Sequence, residues 1–254
     1  MSLKDWFKEK WYALFPLSGK GFEFRDSGPV IPAVRIVGLT KPIIEGIDTA
    51  EELVSFAARV SNPANQFNMD TSAKLLAYCI RNQHWSVFET VNITIEVHTT
   101  RDIARQMLRH KSFSFQEFSQ RYADPTWMQF KTREARLQDK KNRQNSITTT
   151  NAELSAEWNK RQKKLASAAL DEYQWAVDND IAKEVARSVL PEGMTISHLY
   201  MQGTLRSWIH YCQLRMGNGT QKEHREVANL CWEALKEHFP NVCEAVELEN
   251  KESV

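Results

Sequence analysis

Between Val91 and Val97 apolar and polar positions alternate: Val91, Ile93, Ile95 and Val97 are separated by Asn92, Thr94 and Glu96. A period of two puts one set of side chains on one face of an extended chain, so the segment reads as a half-buried strand. A second, shorter β-branched run, AVRIVGL, spans residues 33–39, and TISHLYMQ before Gly203 is a further candidate strand. Between the first two strands the period lengthens to that of helices. Leu53, Phe56, Ala57 and Val60 follow Thr49-x-x-Glu52, a capping box, while Leu75, Leu76, Cys79 and Ile80 follow Asp70 as a candidate cap.

A helix from about Thr100 to His110 places Arg101, Arg105 and Arg109 on one face at four-residue spacing. Further helices are expected over residues 151–177, from Asp180 to Leu190 before Pro191, from the Gly203-Thr204 break to Met216, and from Gln221 to Phe239 before Pro240. Residues 131–144, KTREARLQDKKNRQ, hold six basic and two acidic side chains without apolar periodicity and read as a solvated loop or insertion. Residues 1–32 read as an extension, with a short amphipathic helix around Trp6–Phe15 followed by a stretch containing glycine and proline.

This pattern, without an internal repeat or a clear linker, predicts one α+β domain at residues 33–245: a small antiparallel sheet flanked by several helices, with a polar tail at 246–254. A chain of 254 residues can bury a sizeable core in that form. Its 33 basic and 32 acidic residues leave a net charge of +1, so any anion site must be local and nucleic acid is not an expected partner. The four cysteines form no C-x-x-C pair and suit a reducing compartment. No run approaches the length of a membrane span, so a soluble cytoplasmic protein is expected.

Common nucleotide signatures are missing: Gly19-Lys20-Gly21 lacks the third glycine of a dinucleotide fingerprint, and there is no phosphate loop or H-E-x-x-H zinc pair. The chemistry concentrates at residues 105–122. There Gln106, Arg109, His110, Lys111, Glu117, Ser119, Gln120, Arg121 and their neighbours crowd cations and hydrogen-bonding groups around one carboxylate. Arginine and hydroxyl donors suit a phosphate and amide-like pairs suit a pyrimidine edge, so a nucleotide monophosphate is a competent ligand; an exposed polar helix end is the alternative.

The string ARQMLRHKSFSFQEFSQRY resembles the R-H-R, seven residues, then S signature of flavin-dependent thymidylate synthases. Three further patches are similar in order and spacing. Residues 84–89, HWSVFE, resemble the family's H-x-[ST]-P-F-E segment, residues 184–191, EVARSVLP, its E-x-A-R-x-x-L-P segment, and Arg206 to Arg215 its R-S helix. Departures are Lys111 for the second arginine, Val87 for a proline, Thr90 for a histidine and Thr204 for an asparagine, and they bear on flavin contacts more than on nucleotide contacts.

The resemblance implies methylation of dUMP to dTMP, with 5,10-methylenetetrahydrofolate as carbon donor and FAD, recharged by NADPH, as hydride donor. It implies no cysteine nucleophile, and no Pro-Cys dipeptide of the unrelated synthase type occurs. It places Gln106, Arg109, Glu117, Phe118, Ser119, Gln120, Arg121, Arg187 and Arg215 at the nucleotide. Arg215 is the catalytic residue of that set, stabilising charge on the uracil ring. It places Ser86, Arg109, His110, Lys111, Glu117, Arg206 and His210 at FAD, and it implies a homotetramer with shared active sites and no metal. Two rival readings stand beside it: a family member making hydroxymethyl-dUMP, and a non-catalytic nucleic-acid-binding protein using residues 101–111 and 131–144.

Overall fold

A computed structural model describes residues 32–122 and 130–252. The expected N-terminal extension, with its helix around Trp6–Phe15, lies outside the described residues. The fold is mixed helix and sheet, as the pattern predicts, and its contacts divide into two compact units between which the chain passes repeatedly.

One unit comprises residues 33–97, 110–116 and 200–254. It carries most of a four-stranded sheet of order β1-β2-β6-β3, formed by β1 (Ala33–Leu39), β2 (Asn92–Thr100), β3 (Ser114–Glu117) and β6 (Ile196–Thr204). Ile93, Ile95 and Val97 are buried as the two-residue period requires, but so is Glu96, whose carboxylate accepts from Arg35 Nε at 2.7 Å and from Tyr200 Oη at 3.3 Å. A buried charge is retained only with such partners.

Helix α1 (Ala50–Ala58) opens with the expected capping box, Thr49 and Glu52 bonding reciprocally to each other's backbone. Its buried face is not the anticipated 53/56/57/60 stripe, however, since Val60 is exposed while Glu51, Val54 and Ser55 are buried. Glu51 turns inward because its carboxylate accepts from Val242 N at 2.9 Å and from Asn241 Nδ2 at 2.7 Å, satisfying the N-terminus of helix α8 (Pro240–Glu252). That helix runs on through residues 246–252, where a polar tail was anticipated. Helix α2 (Ser72–Arg81) is capped by Thr71 without a side-chain bond, in place of Asp70, and packs along α8. Helices α6 (Leu205–Arg215) and α7 (Lys222–Lys236) pack on each other, and α7 also covers β1.

The other unit comprises residues 98–109 and 117–199. Helix α3 (Arg101–Met107) is shorter than anticipated, and α4 (Ala152–Asp178) matches its expected span. The helix anticipated from Asp180 to Leu190 is α5 (Lys183–Ala186) with a single 3-10 turn, Arg187–Val189. Phe130, Ala166 and Met194 form one apolar cluster, and Tyr173, Ala176 and Ala186 another, with Leu190 packed against both. Residues 131–144 are largely exposed and irregular, as expected, but not wholly a loop. They contribute β4 (Arg136–Gln138), antiparallel to β5 (Ser146–Thr148), and Arg133 is anchored to Asp102 at 2.9 Å.

Candidate active site

In the unit containing α3, a carboxylate gathers two arginines. Glu117 ends β3, where Oε1 accepts from the Ser197 hydroxyl at 2.7 Å and Oε2 from Arg105 Nη1 at 3.2 Å, with Arg101 Nη1 3.6 Å away. Helical four-residue spacing delivers Arg101 and Arg105 to it together. Burial pushes the Arg101 guanidinium down from its ordinary value, and Glu117 opposes that shift; Arg187 is near enough to add to it. Arg105 also donates to Glu192 at 3.0 Å.

After β3 the chain turns. Phe118 N donates to His198 O at 2.8 Å, and Ser119 Oγ accepts from the Arg121 backbone at 3.3 Å. Arg121 pairs with Glu184 at 3.2 Å, so two positions of separate sequence motifs meet. Gln120 is buried, and its Nε2 has no hydrogen-bond partner among the described residues. Gln106 is half-buried on α3, and Arg109 is exposed in the turn that follows. Arg101, Arg105, Ser197, Glu184 and Glu192 were not among the expected site residues. Helical spacing displayed the two arginines, whereas Ser197 sits in a strand pattern that gives no hint of a polar role.

In the other unit, α6 presents three of the expected residues. Arg215 Nε donates to His110 Nε2 at 3.0 Å, and its two terminal nitrogens have no partner among the described residues. Burial, then the Arg215 charge, lowers the His110 pKa and keeps the ring neutral. Arg206 pairs with Glu89, so this expected flavin residue is matched to a neighbouring carboxylate. His210 stands edge-on to Trp85 with ring centroids 4.6 Å apart, and burial with Arg206 lowers its pKa. Ser86 and Lys111 are exposed.

The cysteines are inert by comparison. All four are free and buried; burial raises every thiol pKa, that of Cys243 to about 12.

A family profile described as thymidylate synthase complementing protein matches residues 43–241. A protein of Paramecium bursaria Chlorella virus 1, named a probable flavin-dependent thymidylate synthase, is 48% identical over 215 residues, 85% of this chain and 99% of that protein. A flavin-dependent thymidylate synthase from Synechocystis is 47% identical over 217 residues, covering 84% and 99%. A crystal structure of the UMP/dUMP methylase PolB from Streptomyces cacaoi, bound with 5-Br dUMP, superposes with a TM-score of 0.73 at 25% identity, covering 85% of this chain and 95% of that one. With this profile matched over most of the chain and near-half identity to those two relatives, the chain belongs to the family of flavin-dependent thymidylate synthases.

Proposed function

We propose that the chain is a methyltransferase converting dUMP to dTMP, with 5,10-methylenetetrahydrofolate as carbon donor and NADPH as reductant. The observation that carries this reading is the state of Arg215: anchored through Nε to His110, it keeps both terminal nitrogens for a ligand. A fixed guanidinium of that kind stabilises negative charge on a uracil imide and so makes ring carbon five nucleophilic. Four buried cysteines, with thiols held protonated, fit a reaction without a cysteine nucleophile.

The nucleotide role falls to Gln106, Arg109, Glu117, Phe118, Ser119, Gln120, Arg121 and Arg187, together with Arg215. The Ser119–Arg121 turn binds the phosphate through its hydroxyl and guanidinium, and the Gln120 amide, without a partner among the described residues, supports a polar ligand there. Glu117 orients Arg105 and Ser197.

The donor set also fits FAD. Arg109 and Lys111 supply exposed cations for a diphosphate, Ser86 a hydroxyl, and His110, Arg206 and His210 hydrogen-bonding groups for a ring system. When bound, FAD supplies the hydride. We place the catalytic domain from residue 33 to the end of helix α8 and take the protein to be a cytoplasmic homotetramer. No described helix is long and apolar enough to cross a membrane, and exposed Trp158, Leu165 and Trp175 on α4 suit a subunit interface.

Incubation with dUMP, methylenetetrahydrofolate, FAD and NADPH, followed by mass analysis of the nucleotide, tests the reading. Formation of dTMP is expected. Recovery of hydroxymethyl-dUMP, or of unchanged dUMP from flavin-loaded protein, would overturn it.

A further inference from the structure

We infer that His110 is a positioning residue for Arg215, its unprotonated Nε2 receiving the Arg215 Nε–H and aiming the guanidinium while Tyr211 and His224 brace the imidazole. The inference rests on the assignment of charge stabilisation to Arg215 made above.

The hydrogen bond fixes the tautomer. An arginine Nε can only donate, so His110 Nε2 must offer a lone pair and the ring proton must reside on Nδ1. An imidazolium would turn an N–H toward the guanidinium and set two cations face to face. The groups facing His110 from the packed elements are Arg215 and Tyr211 of α6 and His224 of α7. Of these, only Arg215 is charged near neutrality: Tyr211 is pushed well up by burial, and His224 is pushed down to about 3 by burial, then by Arg215 and His110.

Packing sets the plane of the ring. Tyr211 meets it edge-on at 5.0 Å and Phe113 at 6.4 Å, and Tyr211 Oη lies 3.1 Å from His224 Nε2 in a fully buried contact. The base of α6 is tied down in turn, since Trp208 Nε1 donates to Ile93 O at 3.1 Å. A guanidinium held through Nε by such a ring has lost most of its freedom while keeping its terminal donors for a substrate, which is preorganisation of the kind catalysis requires.

Two measurements test the inference on the full chain. In 15N-histidine-labelled protein without ligands, His110 is expected as the Nδ1–H tautomer at neutral pH; an Nε2–H tautomer or an imidazolium would overturn the inference whatever the activity. In turnover assays, His110→Leu is expected to lower kcat by about 100-fold, the scale of a small misplacement of a catalytic group. His110→Gln, whose amide oxygen can replace Nε2 as acceptor, is expected to recover most of that loss, with both variants assayed at saturating FAD. Unchanged kcat in the leucine variant, or a glutamine variant as slow as the leucine one at saturating FAD, would overturn the positioning role. Wild-type protein that makes no dTMP would instead overturn the proposed function, leaving the tautomer measurement to judge His110.

Discussion

The Ser197 hydroxyl donates to Glu117 Oε1 at 2.7 Å, joining residues eighty positions apart in sequence. Ser197 is fully buried, and its loss removes one of the bonds that aim Glu117 while Arg105 keeps the other oxygen. Ser197→Ala is therefore expected to lower stability by about 1 kcal/mol, the net worth of a typical intramolecular hydrogen bond. Thermal denaturation reads that loss, and a rise in the KM for dUMP of about fivefold, the same free energy expressed as affinity, is expected with it.

Arg215 is half-buried at the end of α6, and among the described residues its hydrogen bond goes to His110. Arg215→Ala should keep the fold, at a stability cost of about 1 kcal/mol for the one hydrogen bond it gives up. Its kcat should fall by about 100- to 1,000-fold, as when a preorganised charge-stabilising donor is removed. Near-normal turnover with dUMP would withdraw the catalytic assignment.

Gly203 allows Phe113 to approach the β6 backbone: a Cβ there would meet Phe113 Cδ1 at 2.5 Å and Cε1 at 2.6 Å. The ring cannot retreat freely, because it packs edge-on against Trp208 at 4.9 Å and Tyr211 at 5.9 Å. Gly203→Ala is expected to cost about 1–3 kcal/mol by overpacking. Combining it with Phe113→Leu should cost less than the two single changes added together, a coupling that a double-mutant cycle in urea would measure.

His224 is fully buried and its pKa falls from 6.5 to about 3. The unfolded chain takes up a proton near the ordinary histidine value while the folded chain does not. Across that window the unfolded state thus holds more protons, and stability falls as pH drops from about 6.5 toward 3. His224→Gln, which does not titrate, should show a shallower decline of the denaturation midpoint over the same interval; an unchanged slope would contradict the assignment.

Strand β2 was legible because one face of it is buried and a period of two records that directly. Helix α1 shows where such reading stops. Its capping box is local and was read correctly, but its buried face is decided by Glu51, whose partners Asn241 and Val242 lie 190 residues away. Helix α8 was hidden for a related reason. Pro240 reads as a stop for the preceding helix, yet proline is also favoured in the first turn of the next one, and only the Glu51 carboxylate and the packing on α2 show which role applies. In residues 131–144 six cations without apolar periodicity point to the solvated chain that is found, but not to the anchoring of Arg133 by Asp102 or to the β4–β5 pairing, which depend on partners outside the segment.

The sequence by itself determined the main elements, the family signature and the identity of most candidate site residues, because local propensity, capping and motif spacing act over a few neighbouring positions. Tertiary structure alone decided that Arg215 rests on His110, that Ser197 serves Glu117, that Arg121 meets Glu184 and that every thiol is buried. Hydrogen bonds and desolvation depend on which atoms share a volume, and that becomes defined when distant segments pack.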